Sequence, residues 1–152
     1  MNAELAAVTL RLQVPLTPAQ AFDLFTRGID RWWPFRGHSC AGEHAHTVRF
    51  EERVGGAVTE IAKDGARHPW GSVTAWQPPL HFAMTWHPAQ PVEQATHLSV
   101  RFEATEGGCT IELRHDGWGA RGARAGPVRD GYQQGWGQVL GHFAAAAQEN
   151  IA

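Results

Sequence analysis

The sequence predicts an α+β fold in which a seven-stranded antiparallel sheet curves round one long C-terminal helix, with two short helices between the first and second strands. Three observations predict it. From Val128 onward the large apolar residues Val128, Tyr132, Trp136, Val139, Leu140 and Phe143 fall within an arc of about 120° at helical pitch, which marks an amphipathic helix. Upstream, apolar and polar residues alternate with period two in segment after segment, and short turns join successive segments, so the strands run antiparallel. The aromatic face of the helix needs a broad apolar surface against it, and the apolar face of the sheet is the one available.

In chain order, Val8, Leu10, Leu12 and Val14 alternate with Thr9, Arg11 and Gln13 as a strand with one buried face, ended by Pro15. Thr17-Pro18 reads as the N-cap and first residue of a short helix through Phe25 that Gly28 closes, and a second spans Ile29 to Trp33 before Pro34. Phe35 to Ala45 shows no period and reads as a loop. Strands follow over Thr47–Glu52 and Ala57–Ile61, turned by Val54-Gly55-Gly56, and Asp64-Gly65 marks another turn. Trp70 to Trp76 puts Trp70, Ser72, Thr74 and Trp76 on one face, with Pro78-Pro79 as the break before Leu80 to Trp86. Leu98, Val100 and Phe102 mark the next strand, Glu106-Gly107-Gly108 the turn, and Ile111, Leu113 and His115 the last strand. Gly117 to Gly126 reads as a glycine- and arginine-rich loop, with Gly126 as N-cap and Pro127 as the first residue of the long helix.

At 152 residues the chain is of single-domain size and buries a sizeable core without staples. A charged fraction of 18% and a net charge of -2 give no electrostatic case for a nucleic-acid or membrane-surface partner. Cys40 and Cys109 form no C-x-x-C pair, so neither a disulfide framework nor a zinc signature is expected, and a reducing compartment, the cytoplasm, is the simpler reading. No leader-like start and no run of eighteen apolar residues is present.

Several strings, taken in order, resemble a known group. They are Thr17-Pro18 through Asp30-Arg31-Trp32-Trp33-Pro34, Arg53-Val54-Gly55-Gly56 with Glu60, Trp70-Gly71-Ser72-Val73 through Gln77-Pro78-Pro79, and His115-Asp116-Gly117-Trp118 followed by Gly135-Trp136 with Val139-Leu140. The chain resembles the START-like (SRPBCC, birch-pollen-allergen-like) superfamily, and within it the activator of heat-shock protein 90 ATPase homologue type. That resemblance implies the helix-grip fold, with a cavity between sheet and helix that often holds an apolar small molecule. The eukaryotic co-chaperones of this type carry an additional N-terminal domain that contacts the chaperone, for which 152 residues leave no room.

Seven tryptophans in 152 residues are hard to close-pack without leaving space. Trp33, Phe50, Trp76, Phe82, Met84, Trp86, Phe102, Tyr132, Trp136 and Leu140 are therefore candidate ligand contacts as well as candidate core. His115, in phase with Ile111 and Leu113, points toward the helix and needs a partner; it is a structural hydrogen-bonding group, a ligand contact that binds a carbonyl or hydroxyl and sets orientation, or, with Tyr132, an acid/base group. Glu60 reads as a solvated or arginine-paired carboxylate, or as a proton-transfer group if it faces the cavity. His38, Cys40, His44 and His46 are ligand-like types in a short span, but without defined zinc spacing they read as solvated loop residues, and no metal or cofactor is expected. Arg121, Arg124 and Arg129 around the start of the long helix read as a solvated loop, or as a receiver for a ligand carboxylate or phosphate.

Three functions follow. The first is binding of a hydrophobic or aromatic small molecule in the cavity. The second is an enzyme of the same fold, a cyclase, dehydratase or hydrolase, using His115, Tyr132 or Glu60. The third is a chaperone-activator-like interaction protein with Trp32, Trp33 and the exposed sheet face as contacts, for which no stimulation of heat-shock protein 90 is expected. Oligomeric state is not specified by any feature.

Overall fold

The computed structural model describes residues 5–149. In chain order its strands are β1 (Val8–Val14), β2 (Ala45–Phe50), β3 (Ala57–Ala62), β4 (Arg67–Gln77), β5 (His81–Trp86), β6 (Thr96–Thr105) and β7 (Gly108–Asp116). The helix α1 (Pro18–Thr26) lies between the first two strands and α2 (Ala125–Glu149) follows the last strand. The strands form one antiparallel sheet in the spatial order β1-β7-β6-β5-β4-β3-β2. This is the helix-grip arrangement, with α2 held by the concave face through Trp136, Val139, Leu140, Phe143 and Ala147.

β1 and β2 are consecutive in sequence yet sit at opposite edges of the sheet. The segment between them must cross six strand spacings of about 4.8 Å, less where the sheet curls, so it runs over the concave side. α1 begins this crossing. Its N-cap Thr17 accepts from the Gln20 amide while the Gln20 side chain accepts from the Thr17 amide, a complete capping box with Pro18 just inside. A 3-10 turn at Ile29–Arg31 then stands where a second helix is predicted, and it delivers Trp32 and Trp33 into the interior at 5% and 6% exposure. Trp32 Nε1 donates to the Leu24 carbonyl at 2.9 Å and Trp33 Nε1 to the His38 carbonyl at 2.8 Å. Both indoles are thus withdrawn from any partner surface, which removes them as chaperone contacts.

β4 departs from simple alternation. Its register against β3 jumps from Val58–Gly71 to Thr59–Pro69, and against β5 from Val73–Met84 to Ala75–Ala83. Trp70 and Thr74 are the extra residues of two bulges, and they put Trp70 and Val73 in the core while Ser72 and Thr74 face solvent. Gly71 makes this possible, because a Cβ there would stand 1.8 Å from the Thr85 carbonyl oxygen.

α2 also starts differently. It emerges directly from a 3-10 stretch, Trp118–Arg124, that occupies the predicted loop, so Ala125 precedes Pro127 in the first turn, where the missing proline N–H costs no helical bond. Val128 and Tyr132, near this end, are only half-buried, whereas the helix from Trp136 on is seated in the sheet.

The core divides in two. At the α1 end, Phe22 and Phe25 pack against Phe82 and Phe102 at centroid distances of 5.2–6.0 Å, with Trp76 5.1 Å from Phe22 and Phe50 5.7 Å from Phe82. At the other end Trp33, Trp70, Trp86 and Trp136 pack edge to face or tilted, at 5.0–6.2 Å.

Candidate functional site

The tryptophan end does not close. A cavity of about 250 Å³ remains between the sheet, the crossing segment and α2. Its walls are Trp33 from the crossing segment, Trp86 from β5, and Trp136 with Val139 from α2. Polar groups enter at the edge: His38, Ser39 and Cys40 from the crossing segment and Tyr132 from α2. Engineered cavities of roughly 150 Å³ hold benzene, so this space fits about two fused rings.

Of the residues that the sequence singles out, the structure brings Trp33, Trp86, Tyr132 and Trp136 together on this cavity. Phe50, Trp76, Phe82 and Phe102 are not on it; α1 fills the space above them with Phe22 and Phe25. Met84, 1% exposed, and Leu140, 5% exposed, are core, and Val139 takes the lining position one residue before Leu140.

His115 is fully buried, away from the cavity's lining, and both its nitrogens are engaged. Trp136 Nε1 donates to His115 Nδ1 at 2.9 Å, so Nε2 carries the hydrogen and donates to Thr96 Oγ1 at 2.6 Å; Thr96 in turn donates to the Trp86 carbonyl at 3.2 Å. Burial, then the positive fields of His97 and Arg121, push its pKa down to about 3. An imidazole that stays neutral and has no free nitrogen is a latch between β7, β6 and α2. It is not the acid/base group at the entrance that the sequence suggests. Trp118 covers it at 4.3 Å, and its own Nε1, buried, has no partner among the described residues.

Glu60 is neither solvated nor paired with arginine. It lies in phase with buried Val58 and Ala62, is 0% exposed, and stands behind the cavity wall. Its carboxylate accepts from the Cys40 amide (2.8 Å), the Ala41 amide (2.7 Å) and Trp70 Nε1 (2.9 Å). All three hydrogens point at carboxylate oxygens, so Glu60 fixes the course of the crossing segment where it borders the cavity. The Cys40 thiol, pushed up by burial and then by the nearby Glu60 charge, is held as a thiol and is a poor nucleophile.

His38, which the sequence reading weighs only as a metal-ligand type in a solvated loop, has a different place. It is half-buried on the cavity rim and its Nε2 lies 3.3 Å from Gln138 Oε1 on α2. With the hydrogen on Nε2, Nδ1 remains as an acceptor. The ring lies over Gly135, where an added Cβ would make ordinary van der Waals contact with it at 3.6 Å. The one signal in the sequence is that Gly135 and Gln138 are neighbours on one helical face. Tyr132 faces His38 across the rim. Its hydroxyl accepts from Trp86 Nε1 at 3.1 Å, which leaves the phenolic hydrogen to donate. Burial pushes this phenol above its ordinary range, opposed by the Trp86 bond and the Arg121 charge.

His44 and His46 are exposed and turned away from this rim, and among the described residues no three His, Cys, Asp or Glu side chains form a group that could hold a metal. Arg129 donates to the Ala6 carbonyl at 2.6 Å and so anchors the chain before β1, separate from Arg121 and Arg124. Among the described residues no helix is long and apolar enough to cross a membrane.

The family model described as Activator of Hsp90 ATPase homolog 1-like protein matches residues 15–148. Among curated proteins, none matches the sequence. Solved structures do. Protein MLL2253 from Mesorhizobium loti is 16% identical with a TM-score of 0.71, over 96% of this chain and 98% of that one. The solution structure of the Aha1 dimer from Colwellia psychrerythraea is 15% identical with a TM-score of 0.66, over 94% and 96%. The anthrahydroquino-gamma-pyrone synthase Txn09, solved as a complex, is 27% identical with a TM-score of 0.65, over 95% and 99%.

Proposed function

The chain belongs to the Activator of Hsp90 ATPase homolog 1-like family of the START-like superfamily, and from that premise we propose that it binds a flat aromatic small molecule of about two fused rings. One observation carries the reading: Phe22 and Phe25 of α1 fill the interior against Phe82 and Phe102, with a groove only on the outer side of α1 beside Asp23, Arg27 and Glu52, yet a cavity of about 250 Å³ walled by three indoles is left beside α2. Ring faces would stack on Trp33, Trp86 and Trp136, and the free hydrogen of Tyr132 would orient a ligand carbonyl or phenol oxygen. Calorimetric titration with 2-naphthol tests it. Wild type should bind, and Val139→Phe, which fills the space from α2, should lose binding while keeping its thermal transition. Absence of binding by wild type, or unchanged binding by the filled variant, would sink the proposal.

A second reading, catalysis at the same place, is favoured by the 27% identity with a pyrone synthase along nearly the whole chain. The groups that would serve it are His38 Nδ1 as proton acceptor and the Tyr132 hydroxyl as proton donor, on a fused-ring phenolic substrate. Glu60 and His115 are excluded from contact by their buried hydrogen bonds. His38→Ala and Tyr132→Phe should then bind a substrate analogue but abolish turnover; equal rates in both variants would dismiss it.

A further inference from the structure

Beside the cavity lies a shallower groove of about 400 Å³ that runs along the first turns of α2. Tyr132, His38, Pro88 and Gly135 border both spaces, so the two adjoin. Their chemistry differs. Indoles and a valine wall the inner space, whereas the outer groove is flanked by Arg121 and Arg124. No aspartate or glutamate lines either space, and among the described residues neither arginine is in an ion pair. In a chain of net charge -2, this is a local positive field without its own counterion at the mouth of an apolar chamber.

Resting on the ligand-binding reading above, we propose that the groove is an anion subsite and that the ligand is a fused-ring aromatic acid, its rings in the cavity and its carboxylate between Arg121 and Arg124. The arginine fork matches a carboxylate in a bidentate manner, and the positive end of α2 adds to the attraction. Tyr132 stands at the junction and donates to the same oxygen atoms or to a ring substituent. Gly131 borders the groove and presents no side chain to it.

The test is a matched pair, 2-naphthoate and 2-naphthylmethanol, titrated calorimetrically into the wild-type protein and into Arg121→Gln, Arg124→Gln and the double variant. Wild type should prefer the acid, and the double variant should bind it about tenfold more weakly while losing the preference over the alcohol. Raising the salt concentration should weaken the acid and leave the alcohol unchanged. Binding of both probes with equal affinity, or an equal loss of both in the double variant, overturns the anion subsite and leaves the cavity reading standing. If neither probe binds wild type, the cavity reading fails and the subsite falls with it.

Discussion

Replacing Glu60 by glutamine is the most informative single change. The volume is kept, but one of two acceptor oxygens becomes an NH2 group. In the better amide orientation the remaining oxygen still faces the Cys40 amide and Trp70 Nε1, at 2.8 and 2.9 Å, while the new NH2 confronts the Ala41 amide, which donated at 2.7 Å. Two bonds lose their ionic character at about 1 kcal/mol each, and one buried donor is left facing another at about 1–3 kcal/mol. Relief from holding a charge in the interior offsets part of this, so the net cost is about 2–3 kcal/mol. Urea unfolding should show a lower midpoint with an unchanged slope. Amide exchange should locate the damage, with protection lost first at Cys40 and Ala41 and 2-naphthol binding weakened because that wall of the cavity is no longer held. A variant of wild-type stability with undiminished protection at those two amides would show that the carboxylate does not fix the segment.

Other outcomes follow from single side chains. His115 is neutral in the fold down to about pH 3 but takes a proton near 6.5 when unfolded, so its share of stability is complete above 6.5 and is lost toward pH 3. The loss runs at up to about 1.4 kcal/mol per pH unit, and His115→Gln should flatten this slope in urea titrations at pH 7 and 5; an NMR titration of the ring near 6.5 would contradict it. Trp136→Phe removes the donor to His115 Nδ1 and should destabilise by about 1–3 kcal/mol, read as a lower urea midpoint, with exchange accelerated along α2. Gly137 and Gly141 are exposed in α2 and an added Cβ at either meets nothing, so each alanine substitution should stabilise by about 0.5–1 kcal/mol, and a fall in melting temperature would contradict it.

The architecture was legible because it rests on period and punctuation. Val8 to Val14 and Leu98 to Phe102 show their buried face directly, and Thr17-Pro18 announces a helix whose cap then forms as expected. The bulges at Trp70 and Thr74 were not legible, since they exist only in the pairing of β4 with β3 and with β5, which alternation within one strand cannot register. The candidate site was half legible. Trp86 and Trp136 follow from their phases, but which aromatic rings line space and which fill it depends on where α1 lands. Phe22 and Phe25 settle that against Phe82 and Phe102. Glu60 shares the phase of Val58 and Ala62, yet its partners lie 10, 19 and 20 residues away in sequence, beyond any local pattern. His38 depends on a partner 100 residues distant.

The pairing of β1 with β7 has a consequence for how the chain comes into being. Arg11 and Glu112, which face each other across that pairing, are 101 residues apart. At roughly 5–20 residues per second, the ribosome would present β1 about 5–20 s before its neighbour exists. Through that interval Val8, Leu10, Leu12 and Val14 form an open apolar edge, interrupted only by Thr9, Arg11 and Gln13 on the opposite face. The last strand made is therefore the one that retires the first, and the nascent chain stays vulnerable to mispairing until residue 116 has left the exit tunnel.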